Sequence, residues 1–322
     1  MTTKNYRYNY AASTPKALPI NSLASEDNAG HSDHWALLGA DSNTLQSWLA
    51  KSLEGATAPL GLGDNKTCDE YLLVASNDSC HIKQIFALQD GKPSQLLNVF
   101  PAVNSPYGLV CQIEQATVCP NTQDAVLTLK TEDGTNIYAF DQLYAINGCH
   151  YKPATSYYVN FSAWAYNLAP SAQDEIILVE DPEAIRYHRA FNDIIAKNNG
   201  KTPADLQAQI KAWQPADDVP LAPVEINLGQ SCIYLFGETY AQEDEAWCQG
   251  QVLGKSTTQF FGQEIILFDV VILREAESAP FVVRIASLAN VVTSAIAVQD
   301  YVQANIWLQA AIYPQTQKST IK

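Results

Sequence analysis

Residues 301–312 read YVQANIWLQAAI, and residues 158–170 read YVNFSAWAYNLAP. In the first, Val302, Ala304, Ile306, Leu308, Ala310 and Ile312 form an unbroken apolar row at every second position. Tyr301, Gln303, Asn305, Trp307 and Gln309 alternate with them. A period of two is the signature of a β-strand, whose successive side chains point to opposite faces. The second stretch repeats the design, with Val159, Phe161, Ala163 and Ala165 on one face and Tyr158, Asn160, Ser162, Trp164 and Tyr166 on the other. In both stretches a Tyr-Val pair begins six residues before the Trp, and Pro170 and Pro314 follow the runs.

Outward from these two strands the match continues. Phe100 precedes Cys111-Gln112 by eleven residues, and Phe236 precedes Cys248-Gln249 by twelve. A β run follows in each half (Ala125–Lys130; Ile265–Arg274), then a further strand (Ile137–Phe140; Phe281–Arg284), an irregular segment (Asp141–Ser156; Ser287–Gln299) and the long final strand. Other strand candidates are Tyr71–Ala75, Gln84–Leu88, Gln95–Phe100 and Ser231–Phe236. Turn signals separate many of them, the clearest being Glu132-Asp133-Gly134-Thr135 between two β runs.

Two segments follow a helical period instead. In 43–53, Leu45, Trp48, Leu49 and Leu53 share one face after N-cap candidates Asp41, Ser42 and Asn43. Asp181-Pro182-Glu183 opens a second helix, which Asn198-Asn199-Gly200 ends, and Thr202-Pro203 opens a third. The predicted class is therefore mainly β with a helical insert. The expected organisation is an N-terminal segment with one helix (1–68), a first β-module (69–172), a helical connector with an acidic Pro-rich linker (173–223), a second β-module (224–316) and a polar tail (317–322).

Units of five or six strands point to small closed barrels or sandwiches. The irregular segment before the last strand falls where an OB-fold connects its third and fourth strands. In strand order alone, the sequence resembles two tandem OB-like small β-barrels related by internal duplication. That resemblance implies oligonucleotide or oligosaccharide binding by analogy of fold.

Composition limits the function classes. The net charge is −15 over 322 residues. A generic nucleic-acid binder displaces counterions with a basic field, so this balance disfavours nucleic acid as a partner. It favours a cationic or polar protein partner, or a surface that itself imitates a polyanion, as an inhibitor's would. Acids concentrate at Asp217, Asp218, Glu243, Asp244 and Glu245. No secretory h-region and no long apolar run is present, and the seven cysteines are scattered, which points to the cytoplasm and away from a membrane.

Catalytic motifs are absent: no G-x-S-x-G, H-E-x-x-H or phosphate-binding loop occurs. Cys80-His81, Cys149-His150 and His31-x-x-His34 lack the C-x-x-C companion of a structural zinc site, so no metal or cofactor is expected. The expected function is non-enzymatic binding of a protein partner. Its candidate residues are the aromatic faces (Tyr158, Trp164, Tyr166, Tyr301, Trp307) and the acids named above, because Trp and Tyr anchor interfaces. The alternatives are an enzyme acting on a nucleotide or sugar between the modules, and an OB-type oligonucleotide binder.

Overall fold

The computed structural model describes residues 22–24, 34–63, 67–68, 70–172, 176–199, 201, 203, 205–215, 222–236, 243–274 and 280–314. Its elements in chain order are β1 (Ser22–Ala24), α1 (Ser42–Ser52), β2 (Thr67–Cys68), β3 (Tyr71–Ala75), β4 (Cys80–Gln89), β5 (Lys92–Val103), β6 (Gly108–Cys119), β7 (Asp124–Thr131) and β8 (Asn136–Asp141). Then come α2 (Tyr144–Asn147), β9 (Ser156–Pro170), β10 (Ile176–Val179), α3 (Pro182–Lys197), α4 (Leu206–Ala212), β11 (Val224–Asn227) and β12 (Ile233–Phe236). The chain continues through β13 (Glu245–Phe260), β14 (Gln263–Leu273), β15 (Phe281–Leu288), α5 (Val291–Ala295) and β16 (Tyr301–Ala311). The protein is mainly β, as the alternation predicts.

Ten strands form one sheet in the order β1-β6-β7-β8-β16-β9-β15-β14-β13-β12, with β6–β9 and β16–β13 also paired. Those two extra pairings close the sheet twice. One closed ring runs β6-β7-β8-β16-β9 and the other β13-β14-β15-β9-β16, so β9 and β16 belong to both. The stretches expected as first and second β-modules, 69–172 and 224–316, thus contribute strands to one shared sheet. Each half supplies four strands to a ring, and the other half's last strand completes it.

The register shows why the final strands are long. The edge of β9 that faces β6 over Ser156–Asn160 goes on to face β15 over Ser162–Trp164, while its other edge follows β16 over Asn160–Pro170. β16 does the same, pairing β13 over Tyr301–Trp307 and β8 at Gln309–Ala310. Trp164 and Trp307, the residues matched in the two sequences, are direct cross-strand partners at the centre of this seam.

The cysteine match does not hold in register. Leu109 opposes Val159, whereas Gly250 opposes Val302, so Cys111 corresponds to Val252 and not to Cys248. Gly250 is glycine because its strand runs so close to β14 that a Cβ there would lie 1.8 Å from the Val271 carbonyl oxygen.

The apolar faces read from the sequence fill the rings. Val302, Ala304, Ile306, Leu308 and Ala310 meet Val159, Phe161 and Ala163 in one continuous core with Phe268, Val270 and Ile285. Each aliphatic side chain buried this way contributes about 1.5–3 kcal/mol. A second layer was not legible in the sequence. β2-β3-β4-β5 make a separate four-stranded sheet that lies, with α1, over the outside of the seam. Between the layers sit Trp48, Phe100, Phe140, Phe260 and both seam tryptophans.

The local signals place several elements as read. Asp41 accepts a hydrogen bond from the Thr44 N–H at the start of α1, and Asp181 caps α3 with Pro182 in its first turn. Asp133 braces the β7–β8 turn by accepting from the Thr135 N–H. The Tyr6-Tyr8-Tyr10 alternation lies outside the described residues, and the parallel partner that β6 gains is β1.

Candidate functional site

The outward faces of β9 and β16 carry the aromatic residues that the sequence offers as a binding platform. Trp164 and Trp307 are 1% and 0% exposed. The layer of β2–β5 and α1 covers them, so as ligand-stacking residues they are corrected to core residues. Tyr158 and Tyr166 remain exposed and Tyr301 is half-buried. With the tryptophans buried, the five aromatics do not form one platform. Asp217 and Asp218 lie outside the described residues. Glu243 is exposed, whereas Asp244 and Glu245 are buried.

Four of the predicted residues nevertheless converge. Trp307 donates its indole N–H to Asp244 Oδ2 at 2.8 Å. The imidazole of His34 stacks on Trp307, with centroids 4.1 Å apart. The Tyr166 hydroxyl donates to the Glu245 carboxylate, and its oxygen lies 2.7 Å from His34 Nδ1, which therefore carries the proton between them. This group ties the segment at His34–Leu38 and the start of β13 to the seam. With His34, Asp244, Glu245 and Trp307 buried, the group serves as a fastening.

A second buried polar cluster sits between the layers, and sequence reasoning missed it. Lys83 on β4 donates to Gln142 Oε1 at 2.7 Å. Gln142 Nε2 donates to Val103 O, Ser162 Oγ and Gln309 Oε1 at 3.2, 3.0 and 2.9 Å. Beside it, Asp141 accepts from the Leu143 N–H at 2.9 Å and from the Tyr151 hydroxyl. Burial pulls the Lys83 ammonium down to about 7, with the Asp141 charge opposing the shift. Burial likewise raises Asp141 to about 6, against the pull of its hydrogen bonds and of Lys83. The local sequence carries no clear signal of it, since residues 80–85 read CHIKQI and only the burial of both faces of β4 takes the ammonium from water.

Between the two halves the chain makes an excursion. β10 and β11 pair antiparallel, Ile176 with Asn227 through Val179 with Val224, and so form the stem of an arm that carries α3 and α4. The arm has its own small core of Ala190, Ile194 and Ile210 with Phe191, Leu206 and Trp213. Its helices are cross-tied: Arg186 donates to the Trp213 carbonyl at 2.6 Å, and the Trp213 indole donates to Asp193 at 2.9 Å. The root is held from both rings. Ser171 after β9 donates its hydroxyl to the Gly229 carbonyl at 2.7 Å and its N–H to the Tyr301 carbonyl at 2.9 Å. Gln249 on β13 donates to the carbonyls of Leu228 and Ser231.

On the stem, Ile176 and Leu178 share one face and are 52% and 49% exposed. Directly opposite them stand Asn227 and the exposed Glu225. Among the described residues no further strand pairs with β10 or β11.

No group of three or more His, Cys, Asp or Glu residues among the described residues could hold a metal ion. No helix among them is long and apolar enough to cross a membrane. Cys149 is disulfide-bonded, which runs against reading the scattered cysteines as the pattern of a reducing compartment. Comparison with known proteins finds no family model, no curated protein and no solved structure that matches the chain.

Proposed function

We propose that the chain is a binding protein that engages a protein partner through the arm and its stem. The observation that carries this reading is the exposed face of Ile176 and Leu178 on a two-stranded ladder whose root is bonded to both rings. A two-stranded ladder alone in water is marginal, and exposed strand edges accept further strands. Aliphatic side chains held rigidly beside an acid suit a partner surface with apolar contacts and basic charge, as does the net charge of −15. An extended segment of the partner would add to the ladder and seat alternate side chains on this face.

Within this reading the protein acts as an adaptor or as an acidic inhibitor. The two rings are read as a duplicated OB-like unit. The support is that each half runs three antiparallel-paired strands, a short helix and a long final strand that returns beside the first. The OB analogy by itself favours a nucleic-acid ligand, but the charge opposes it.

The test is quantitative capture from the source cell extract, comparing the native chain with Ile176→Asp/Leu178→Asp and with Tyr158→Ala. Proteins held by the native chain and by Tyr158→Ala are expected to fall by about tenfold or more with the double variant, the loss of an interface anchor. Equal capture by all three chains rejects the stem as the interface. Binding that survives the double variant and drops steeply with salt assigns the contact to the acids instead.

A further inference from the structure

We propose that the cleft beside Lys83 is a site where that lysine forms a reversible imine with a small hydroxylated aldehyde or ketone. This inference is independent of the arm and its partner.

The geometry carries the proposal. A cleft of about 310 Å³ is lined by His81 and Lys83 of the second sheet and by Ser76, Asn77, Asn104 and Ser105 among its polar residues. His81 and Lys83 are adjacent on one face of β4, at positions i and i+2, about 7 Å apart along the strand. Both are almost wholly buried, at 3% and 2% exposure. The Lys83 amine donates to Gln142, which fixes its position, and Lys83 is among the residues that line the cleft.

The His81 tautomer is set by its neighbour. Nδ1 lies 2.9 Å from the Asp78 carbonyl, so Nδ1 carries the proton and Nε2 the lone pair. The same carbonyl accepts from Asn104 Nδ2 at 2.9 Å, which orients one wall of the cleft against the imidazole. Burial and the adjacent lysine hold the imidazole neutral, down to about 3. The result is an amine nucleophile and a neutral base that both line one small cleft.

The chemistry balances without a cofactor. The Lys83 lone pair attacks the carbonyl carbon, a C–N bond forms, and one proton passes from nitrogen to the carbonyl oxygen to give a carbinolamine. His81 Nε2 accepts the second proton lost from nitrogen and returns it to the hydroxyl. That hydroxyl leaves as water while the C=N bond forms, and hydrolysis reverses every step. The hydroxyl and amide walls would receive hydroxyl groups on the substrate. The titratable groups near the amine are His81 on its own strand, Asp141 at the end of β8 and Tyr313 beyond β16, and Asp141 is the one that favours the protonated amine.

The experiment treats the whole folded chain with glycolaldehyde and cyanoborohydride, which reduces the imine to a stable hydroxyethyl amine, and maps the labelled peptides by mass spectrometry. At pH 7 the Lys83 peptide is expected to be labelled about tenfold or more faster than the peptides of the exposed lysines Lys51 and Lys130. The rate at Lys83 should reach half its plateau near neutral pH, and His81→Phe should slow it. Labelling of Lys83 only after unfolding in urea, or at the same rate as the exposed lysines, overturns the proposal. The readout on the native chain decides the matter even if a His81 variant does not fold.

Discussion

Trp307→Phe is expected to destabilise the protein by about 2–4 kcal/mol, and Trp164→Phe by about 1 kcal/mol or less. The two residues are cross-strand partners at the same seam and equally buried, so burial does not separate them. The indole nitrogen does. Trp307 Nε1 donates to the carboxylate of Asp244, itself 0% exposed. Removing that donor takes a charge-assisted bond from a carboxylate without access to water, and such losses are among the costlier ones. The phenyl ring also gives up part of the stacking surface against His34. Trp164 Nε1 is buried with no hydrogen bond in the described structure, so replacing the indole removes a polar group that gains nothing on folding. Urea unfolding of the two variants, compared through midpoints at constant slope, measures the difference. Equal losses would mean that the Trp307–Asp244 bond has no special weight.

The second large effect lies at Lys83. Its folded value of about 7 is below the ordinary 10.5. Between those limits the unfolded chain binds a proton that the folded chain has released. Stability therefore rises as the pH climbs from about 7 towards 10.5, and the full cost of the buried ammonium is present below about 7. Asp141 works in the opposite sense over a lower window. Its folded value of about 6 exceeds the ordinary 3.8, so the folded chain holds the extra proton and stability falls as the pH rises from about 4 to 6. Together the pair makes a trough of stability between about pH 6 and 7. Lys83→Met is expected to remove the rise in stability above neutrality, because the amine that titrates between about 7 and 10.5 is gone. Thermal or urea unfolding across pH 4–10 tests this. An unchanged pH profile in the variant would show that the amine is solvated in solution.

A residue that costs stability and lines a cleft fits the general pattern in which binding sites oppose folding. The imine experiment and the Lys83→Met profile probe different properties of the same amine. The first reads its reactivity and the second its burial.

The sequence made the two seam strands and the arm legible for definite physical reasons. An apolar row such as Val302 to Ile312 has only one place to go, the inside of a closed sheet, and it goes there. Asp181-Pro182 starts a helix through local chemistry that needs no tertiary partner. The fate of the opposite faces was not legible. Trp164, Trp307, Ser162 and Gln309 read as an exposed polar-aromatic face because nothing in their own strands says that another sheet covers them. That sheet comes from residues 67–103, which in linear order look like the opening strands of the first module. Likewise Lys83 and Asp141 are far apart in sequence, and only the layer contact brings their charges together.

Because β9 and β16 each complete the ring of the other half, a ribosome making this chain cannot release a finished first half. Strands β6 to β9 must wait, with one edge unfilled, until the last strand is synthesised. The same dependence suggests a simple dissection: fragments 1–172 and 173–322, each insoluble or poorly folded alone, should restore native ellipticity when expressed together. If fragment 1–172 folds cooperatively without its counterpart, the exchange of strands is dispensable to it.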